Sequence, residues 1–291
     1  MKIIKYILEA IIIYFLFFLI KVIGLKFSRK IISLLFISIG FLFKSNKITR
    51  KNIFYAFGNI QENKIKSILK SMWKNYAYTF VEYIYLHKYR FNKFSSPQIR
   101  VFGKEILDDL IKDKKQAIFI SGHLANFELM AMELEKSKID LAAIYRPLNN
   151  IFLNSFMVSL RKKYICKKQV EKGKSGAREI VELMKNNTSI ALMVDQRLGE
   201  SERFPFFGKP AHTTTLPAQL ALKFNCDIIP IYLERKLDNT FNLEVLNPIK
   251  LNNLSAQERN KKEITLKINK ILEKMILKNP QQWIWTHNRW K

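Results

Sequence analysis

Short apolar segments alternate with longer helix-forming segments over the last two thirds of this 291-residue chain. Five of the apolar segments have the length of buried strands: 117–121, 141–145, 190–194, 228–233 and 243–246. Helix-forming segments lie before, between and after them, at 105–112, 127–136, 150–163, 176–185, 216–224 and 258–277. This pattern predicts an α/β fold with a mostly parallel central sheet flanked by helices. Ligands of such sheets bind at the carboxyl ends of strands, so polar residues there are the first site candidates.

The most apolar segment, residues 6–25, precedes this region and contains only Glu9 and Lys21 as charged residues. At about 1.5 Å per residue, its length matches a hydrocarbon core of about 30 Å. No small-residue cleavage pattern of a signal peptide follows, and a second apolar stretch begins soon after, at 31–43. We therefore predict an N-terminal membrane-anchor helix at 1–25 and a separate domain at 26–291. Glu9 leaves a second interpretation open, a helix lying in the membrane interface.

The charge of the chain bears on its partners and its side of the membrane. Four basic residues lie at the end of the anchor or just after it and two lie before it, Lys21, Lys26, Arg29 and Lys30 against Lys2 and Lys5. By the positive-inside rule this difference predicts a cytoplasmic location for the large domain. The whole chain carries a net charge of +26, which attracts anionic lipid, acidic proteins or nucleic acid. The aromatic helix expected at 71–89 suits either a membrane interface or an ordinary core.

A histidine and a carboxylate lie five residues apart just after the first predicted strand, in the run SGHLANFE at 121–128. On one continuous helix, positions five apart diverge by roughly 140°, so His123 and Glu128 meet only across a turn. Gly122 and the proposed N-cap Asn126 supply that turn between strand and helix. We predict that His123 is a general base and that Glu128 orients it. The alternative is that Glu128 only complements the helix dipole.

Further polar residues follow the ends of other predicted strands and helices. Arg146 comes directly after the second strand, Arg161 closes the next helix, and Asp195 follows the third strand. Arginine binds phosphate well, so we predict that Arg146 and Arg161 hold an anionic group. Surface ion pairing of the arginines and turn capping by Asp195 are the structural alternatives. His212 has no carboxylate neighbour in the sequence and is interpreted as a loop residue.

Several kinds of chemistry lose support because their signatures are missing from the sequence. The chain contains no G-x-G-x-x-G, G-x-x-x-x-G-K-[ST], H-E-x-x-H or G-x-S-x-G motif. The two cysteines, Cys166 and Cys226, have neither a C-x-x-C spacing nor a nearby histidine pair, so we expect no disulfide framework and no metal site. We also expect no cofactor.

The ordered motifs resemble the late acyltransferases of lipid A biosynthesis, the lauroyl and myristoyl transferase group. The resemblance covers nearly the whole chain, from the apolar anchor through SGHLANFE, YRP, DQ, FFG and AHT to the closing P-x-Q-W-x-W-x-H-x-R-W. It implies a glycerolipid-acyltransferase-like fold that transfers an acyl chain from acyl carrier protein to a hydroxyl of a lipid A precursor. Carried over by position, His123 and Glu128 are the catalytic pair, and Arg146, Arg161 and Asp195 are the substrate-binding residues, with Asp195 ordering the arginines.

This resemblance places the protein at the bacterial inner membrane, in contact with membrane lipid. A thioester is already activated, so a base and good positioning suffice for acyl transfer. Two alternatives stay open. In the first alternative, the acceptor is a glycerophospholipid or a glycolipid, although the E-G-T-R motif of glycerophosphate acyltransferases is missing. The other alternative is a basic membrane-surface or nucleic-acid-binding protein; no nucleic-acid motif supports it, and we expect no nucleic-acid partner.

Overall fold

A central sheet of seven strands organises the computed structural model, which describes residues 2–40, 42, 45–197 and 201–291. The strands are β1 Ile99–Phe102, β2 Ile118–Ser121, β3 Leu141–Tyr145, β4 Lys168–Glu171, β5 Ser189–Met193, β6 Arg203–Phe206, β7 Lys209–His212, β8 Ile228–Arg235 and β9 Phe241–Val245. The order in the sheet is β1-β9-β8-β2-β5-β3-β4, and β6 and β7 form a separate antiparallel hairpin. Only the β8–β9 pair of the central sheet is antiparallel. The predicted α/β fold with a mostly parallel sheet is confirmed.

Helices flank the sheet, and several of them precede its first strand in the chain. They are α1 Lys2–Ile23, α2 Leu25–Gly40, α3 Ser45–Phe57, α4 Glu62–Glu82, α5 Leu86–Arg90, α6 Lys104–Lys112, α7 Glu128–Lys136, α8 Ile151–Tyr164, α9 Lys174–Lys185, α10 Leu216–Phe224 and α11 Lys261–Lys278. A 3₁₀ turn at Tyr83–Tyr85 joins α4 to α5. Of the apolar stretch at 31–43, residues 41 and 43 lie outside the described residues.

Four of the strands that the sequence predicts, β2, β3, β5 and β8, consist mainly of apolar residues, and the fifth, β9, alternates buried apolar residues with polar ones. Every residue of β2 is buried, as expected for the middle of a parallel sheet. The sequence analysis misses β1, β4 and the β6–β7 hairpin. The edge strand β4 has the sequence KQVE, with one buried residue, and the hairpin contains Pro205 and Pro210. Edge strands and proline-containing strands lack the apolar signal on which the prediction depends.

The N-terminal helices share a core with the sheet. Phe17 and Ile20 of α1 and Ile32 of α2 belong to the same buried cluster as Phe119 of β2 and Leu129 of α7. The aromatic region after α4 also belongs to this core, because Tyr85 and Tyr89 are buried. The helix expected at 71–89 therefore serves the core.

A buried ionic network connects α2 and α4 with the carboxyl end of β8. The Glu82 carboxylate is fully buried and accepts hydrogen bonds from Arg29, at 2.6 Å from Nη2, and from Arg235. Burial alone would raise the pKa of Glu82, but the charges of Arg235 and Arg29 hold it below its usual value. The same carboxylate accepts a 2.8 Å hydrogen bond from Asn126 Nδ2, in the turn after β2. Asn126 therefore fixes this turn to the core instead of capping α7, whose N-cap is Phe127.

The closing segment of the chain packs into the body, as the sequence predicts. Trp283 and Trp285 are buried, and their rings meet edge to face with centroids 4.6 Å apart. The segment also contacts the turn after β2, since Ala125 N donates to Gln282 O at 3.1 Å. The carboxyl terminus thereby supports the same sheet edge as the N-terminal helices.

Candidate active site

Two strand ends bring the first pair of site residues together. In the register of β2 and β5, Ser121 lies beside Met193, so His123 and Asp195 both follow their strands by the same two residues. A Cβ at Gly122 would be in ordinary contact with the Asp195 Cβ, at 3.5 Å, and would lie 2.9 Å from Leu272 Cδ1, so the glycine leaves room for the Leu272 side chain beside the two strand ends. The sheet register therefore places a carboxylate beside the histidine that the sequence singles out.

The turn that carries His123 is held in an unusual backbone conformation. Ala125 adopts φ 48°, a left-handed conformation that non-glycine residues seldom adopt. Its carbonyl oxygen accepts hydrogen bonds from Asn75 Nδ2 and Thr79 Oγ1 of α4, each at 3.1 Å. With the Gln282 contact on its amide, both backbone polar groups of Ala125 are satisfied from outside the turn. Such over-determined strain is typical of positions that hold functional groups in place.

Asp195 holds the imidazole of His123 from behind. Asp195 Oδ1 lies 2.7 Å from His123 Nδ1, and Oδ2 accepts a 2.8 Å hydrogen bond from the His123 backbone amide. Trp283 Nε1 donates to the same Oδ2 at 2.8 Å. Burial alone would raise the pKa of Asp195, but its interactions with His123 and the Trp283 hydrogen bond lower it to about 2. An ionised carboxylate only accepts hydrogen bonds, so the tautomer of a neutral His123 ring that fits this contact has its proton on Nδ1 and its lone pair on Nε2.

Glu128 has other partners, and here the structure corrects the sequence prediction. Its Oε1 accepts hydrogen bonds from Arg161, at 3.0 Å from Nε, and from the hydroxyl of Tyr83. The expected orientation of His123 by Glu128 is therefore wrong, because Asp195 occupies Nδ1. The physical reason is the position of Glu128 as the first residue of α7, from which its side chain extends toward α8. Asp195 is correspondingly not a partner of the arginines, since its oxygens are taken by His123 and Trp283.

The Glu128 cluster fixes a buried guanidinium. The Arg161 side chain is only 12% exposed, and its carboxylate partner 9%. Burial would lower the pKa of Arg161, but the neighbouring Glu128 and Tyr83 hold it above its usual value. Burial and the Glu128 charge raise the pKa of Tyr83, so this hydroxyl remains a donor. Arg161 is thus a permanent cation in a defined orientation.

These groups line one cavity of about 200 Å³ at the carboxyl edge of the sheet. His123, Glu128, Arg146 and Arg161 all contribute to its wall, while Asp195 lies behind His123. The rest of the wall is largely apolar and includes Phe127, Met130, Ala131, Ala143, Ile144, Ile165, Ala191, Leu192, Met193 and Leu216. Phe127 packs edge to face on the His123 ring, with centroids 4.5 Å apart. The cavity combines an imidazole, a fixed cation and a largely apolar lining, and a few polar groups in an apolar wall are typical of ligand sites.

Comparison with known protein families agrees with this geometry. The sequence model of the family described as bacterial lipid A biosynthesis acyltransferase matches residues 1–291, the whole chain. The chain belongs to this family. The protein is therefore an acyltransferase of lipid A biosynthesis, and the family resemblance of its motifs is confirmed. Among curated proteins, none matches the chain.

The sequence analysis misses three residues of the candidate site of this lipid A acyltransferase. Tyr83 lies 45 residues before Glu128 in the sequence and binds its carboxylate. Trp283 lies 88 residues after Asp195 and binds that carboxylate. Lys172 lines the cavity wall beside Arg146, and burial together with the Arg146 charge lowers the pKa of Lys172. The closing tryptophan motif was the one available signal, and it pointed to Trp283 only as a packing residue.

The other histidines and the cysteines of the acyltransferase lie outside the cavity wall. His212, predicted as a loop residue, is instead the last residue of β7, and its Nδ1 lies 2.8 Å from the carbonyl oxygen of Ser201. His287 Nε2 accepts a 2.9 Å hydrogen bond from the Arg197 amide, and burial lowers the pKa of His287 to about 4. Cys166 and Cys226 are buried free thiols. Within the described ranges, no cluster of three His, Cys, Asp or Glu side chains suits a metal ion.

A larger groove of about 1040 Å³ lies at the opposite edge of the sheet. Its wall includes Lys115 and Asp227, which precede β2 and β8, so it lies at the amino ends of parallel strands. Open α/β sheets bind ligands at the other edge. The smaller cavity, with His123 and Arg161, is therefore the better candidate for the acyltransferase site.

Proposed function

We propose that this protein transfers a fatty acyl chain from acyl carrier protein to a hydroxyl of a lipid A precursor, with His123 as the general base. The observation that carries the proposal is the His123 ring in the cavity wall, with Nδ1 bound to the buried Asp195 carboxylate. Nε2 has no hydrogen-bond partner among the described residues. A neutral imidazole held by a carboxylate is the arrangement that activates a hydroxyl nucleophile.

The chemistry needs no group beyond the two substrates and the side chains. His123 Nε2 removes the proton of the acceptor hydroxyl while the oxygen attacks the thioester carbonyl carbon. The resulting tetrahedral intermediate collapses, the C–S bond breaks, and the imidazolium returns the proton to the departing thiolate. An ester and a free thiol are the products. The negative charge of Asp195 stabilises the imidazolium between these two steps, which makes Asp195 a positioning residue instead of a substrate ligand.

Arg161 is suited to the second task in this reaction, the stabilisation of developing negative charge. Its guanidinium is held by Glu128 and Tyr83 in the wall that also contains His123. A fixed cation in a site of low polarity stabilises an oxyanion without reorganisation during the reaction. We assign Glu128 to the orientation of Arg161. This retains Glu128 in the catalytic machinery with a partner different from the one its spacing predicts.

Charge at the cavity supports the two proposed substrates. Arg146 is exposed and Lys172 is half-buried in the same cavity wall, and neither cation forms a salt bridge with the described residues. Acyl carrier proteins are acidic and lipid A precursors carry phosphates, so both complement basic groups. We propose that Arg146 and Lys172 contact these anions. The apolar helix α1, the described helix long and apolar enough to cross a membrane, supports a location at the inner membrane. We keep the catalytic body on the cytoplasmic side, where acyl carrier protein is found.

The test is acyl transfer by His123→Ala, with His212→Ala as the matched histidine control outside the cavity. Membranes containing each variant receive acyl carrier protein with a labelled acyl chain and a lipid A precursor, and mass spectrometry detects the product. We expect His123→Ala to lose on the order of 10²- to 10⁴-fold in rate, the usual contribution of a general base, while His212→Ala retains activity. Retained activity of the folded His123→Ala variant would contradict the assignment. Transfer to a glycerophospholipid instead would replace the acceptor and keep the base.

A further inference from the structure

Helix α1 contacts the catalytic body through polar groups near its amino end. Asn150, which precedes α8, donates from Nδ2 to the Tyr6 carbonyl oxygen at 2.8 Å and to Glu9 Oε2 at 3.1 Å. Glu9 also lies 3.8 Å from the ammonium group of Lys5. The acidic residue of the apolar segment thus has partners on the protein, while its side chain remains 43% exposed.

The contacts continue along α1 to its carboxyl end. The hydroxyl of Tyr14 donates to the Phe152 carbonyl oxygen of α8 at 2.9 Å, and Phe17 packs on Phe156 with ring centroids 5.7 Å apart. The Ile20 carbonyl oxygen accepts a 2.9 Å hydrogen bond from the hydroxyl of Tyr85. From Tyr6 to Ile20 the body therefore follows α1 over about 21 Å, at about 1.5 Å per residue.

The opposite face of α1 is apolar and exposed. The residues on this face are Ile3, Ile4, Ile7, Leu8, Ile11, Ile12, Phe15, Phe18 and Val22, each at least 41% exposed. Helix α2, which begins after the bend at Gly24 with φ 89°, leaves a second apolar stripe uncovered at Phe27, Ile31, Leu34 and Leu35. Leu148, Ile151 and Phe152 at the start of α8 are also exposed, between the cavity rim and the α1 contact. We call these residues together the apolar platform. A water-soluble surface seldom leaves so many large apolar side chains uncovered.

These contacts are incompatible with an α1 that crosses a bilayer. A spanning α1 would place the 21 Å of contacting body within a hydrocarbon core of about 30 Å. That body includes Asn150 and α8, which carries Lys162, Lys163 and the site residue Arg161. Polar and charged groups are expensive in hydrocarbon, and irregular backbone such as the loop before α8 does not face lipid there.

Basic residues flank the platform at both ends of α1. Lys2, Lys5, Lys21, Lys26 and Lys30 are all exposed. Lysines at the rim of an apolar face extend their amino groups to the head-group layer and are attracted by anionic lipids. An apolar face bordered by lysines is typical of a helix that lies in the interface of one leaflet.

We propose that α1 lies in the plane of one leaflet, so that the apolar platform enters the membrane and both ends of α1 remain on the side of the catalytic body. The protein is then monotopic, and its cavity opens near the leaflet that the platform contacts. This inference rests on the membrane location in the proposed function and is independent of the role of His123. It also extends the anchor beyond the boundary at residue 25, because α2 and the start of α8 contribute.

The first test locates the amino end of α1 relative to the body. Lys2→Cys and Leu237→Cys are labelled with a membrane-impermeant maleimide in spheroplasts and in inverted membrane vesicles; Leu237 is a fully exposed body residue. Unsubstituted protein, whose two cysteines are buried, gives the background. We expect both positions to react from the same side. Labelling of Lys2→Cys from the face opposite to Leu237→Cys would overturn the proposal in favour of a spanning helix.

The second test asks whether the platform binds lipid, and it uses no activity assay. Purified protein is floated with vesicles of zwitterionic lipid containing an anionic phospholipid. We expect wild type and Leu237→Lys to float and the double variant Ile11→Lys/Phe15→Lys to lose flotation while keeping its thermal unfolding transition. Equal flotation of the double variant and the wild type would overturn the proposal. A failed proposed function changes neither result, since labelling and flotation do not depend on acyl transfer.

Discussion

Two carboxylates beside the cavity differ in their distance from His123 along the sequence and in the side chain that each of them binds. Glu128 lies five residues from His123 and binds a guanidinium, whereas Asp195 lies 72 residues from His123 and binds its imidazole. Glu128 begins a helix and extends toward the neighbouring α8, while Asp195 follows a strand that pairs directly with the strand before His123. Glu128, close to His123 in sequence, lines the same cavity, but the register of the strands determines that Asp195 binds His123, the proposed base. We therefore propose a separate function for each acid, orientation of His123 by Asp195 and orientation of Arg161 by Glu128.

The largest effect is expected on the Asp195 side. Asp195→Asn keeps the shape of the side chain but removes the charge that stabilises an imidazolium, and the amide can favour the wrong tautomer of His123. By comparison with the acid of a catalytic triad, we expect the rate of acyl transfer to fall by about 10³- to 10⁴-fold. The exposed Asp238→Asn serves as the control and should leave the rate unchanged. Near-normal activity of a folded Asp195→Asn variant would remove Asp195 from the mechanism.

A smaller loss is expected on the Glu128 side. Glu128→Gln leaves the guanidinium of Arg161 buried without its counter-charge, and we expect a rate loss of about 10- to 10²-fold because only cation placement is disturbed. Arg161→Lys should cause a comparable loss, and the double variant should lose less than the product of the two single effects. Steady-state kinetics of the four proteins measures this coupling. A larger loss for Glu128→Gln than for Asp195→Asn would return Glu128 to the role its spacing predicts.

A substitution of Trp283 tests whether the closing segment helps to position the Asp195 carboxylate. Trp283→Phe removes the 2.8 Å hydrogen bond to Oδ2 and keeps an aromatic ring in the core. One hydrogen bond to a charged group contributes about 1.5 to 3 kcal/mol, so we expect about a tenfold loss in rate with a lower melting temperature. Trp285→Phe is the matched control, since its indole donates to Pro280 O instead. Trp285→Phe should lower the melting temperature and spare the rate; equal rates for the two variants would contradict a positioning role of Trp283.

The smallest expected effect is on the free energy of unfolding at acid pH. The pKa of His287 is lowered to about 4 in the folded protein because burial disfavours its charged form. The unfolded chain therefore binds this proton first as the pH falls, and stability is lost between about pH 6.5 and 4. Partial exposure reduces the effect to on the order of 1 to 2 kcal/mol. Chemical unfolding of His287→Gln at pH 7 and pH 4.5 should give a smaller difference than wild type, and an equal difference would contradict the assignment.

The sequence predicts the parts of the fold and site that depend on local pattern. The all-buried strand β2, the turn with His123 and the cationic residues at the sheet edge follow from apolar periodicity and from the position of polar residues at strand ends. The edge strand β4, with the sequence KQVE, has no such signal. Pairing across the fold is also not encoded in spacing, because the Ser121–Met193 register that unites His123 with Asp195 is a property of the assembled sheet.

Contacts between segments far apart in the sequence explain the other features that the sequence does not predict. Tyr83 and Trp283 reach the carboxylates of Glu128 and Asp195 only after α4 and the closing segment have packed on the sheet, and no local pattern distinguishes them from core aromatics. Glu82 is similar, since its burial between Arg29 and Arg235 depends on three separate elements. The composition of α1 allows both a spanning and an interfacial helix, and its contacts with α8 distinguish the two.

Nitrogen NMR of the His123 ring tests the central claim most directly. The chain has only four histidines, so protein labelled with ¹⁵N-histidine gives few ring signals, and His123→Gln assigns the relevant pair. We predict that the neutral ring carries its proton on Nδ1, that Glu128→Gln preserves this tautomer, and that Asp195→Asn alters it. A proton on Nε2 in the wild type, or a tautomer changed by Glu128→Gln and unchanged by Asp195→Asn, would contradict the assignment of Asp195 as the residue that orients the base.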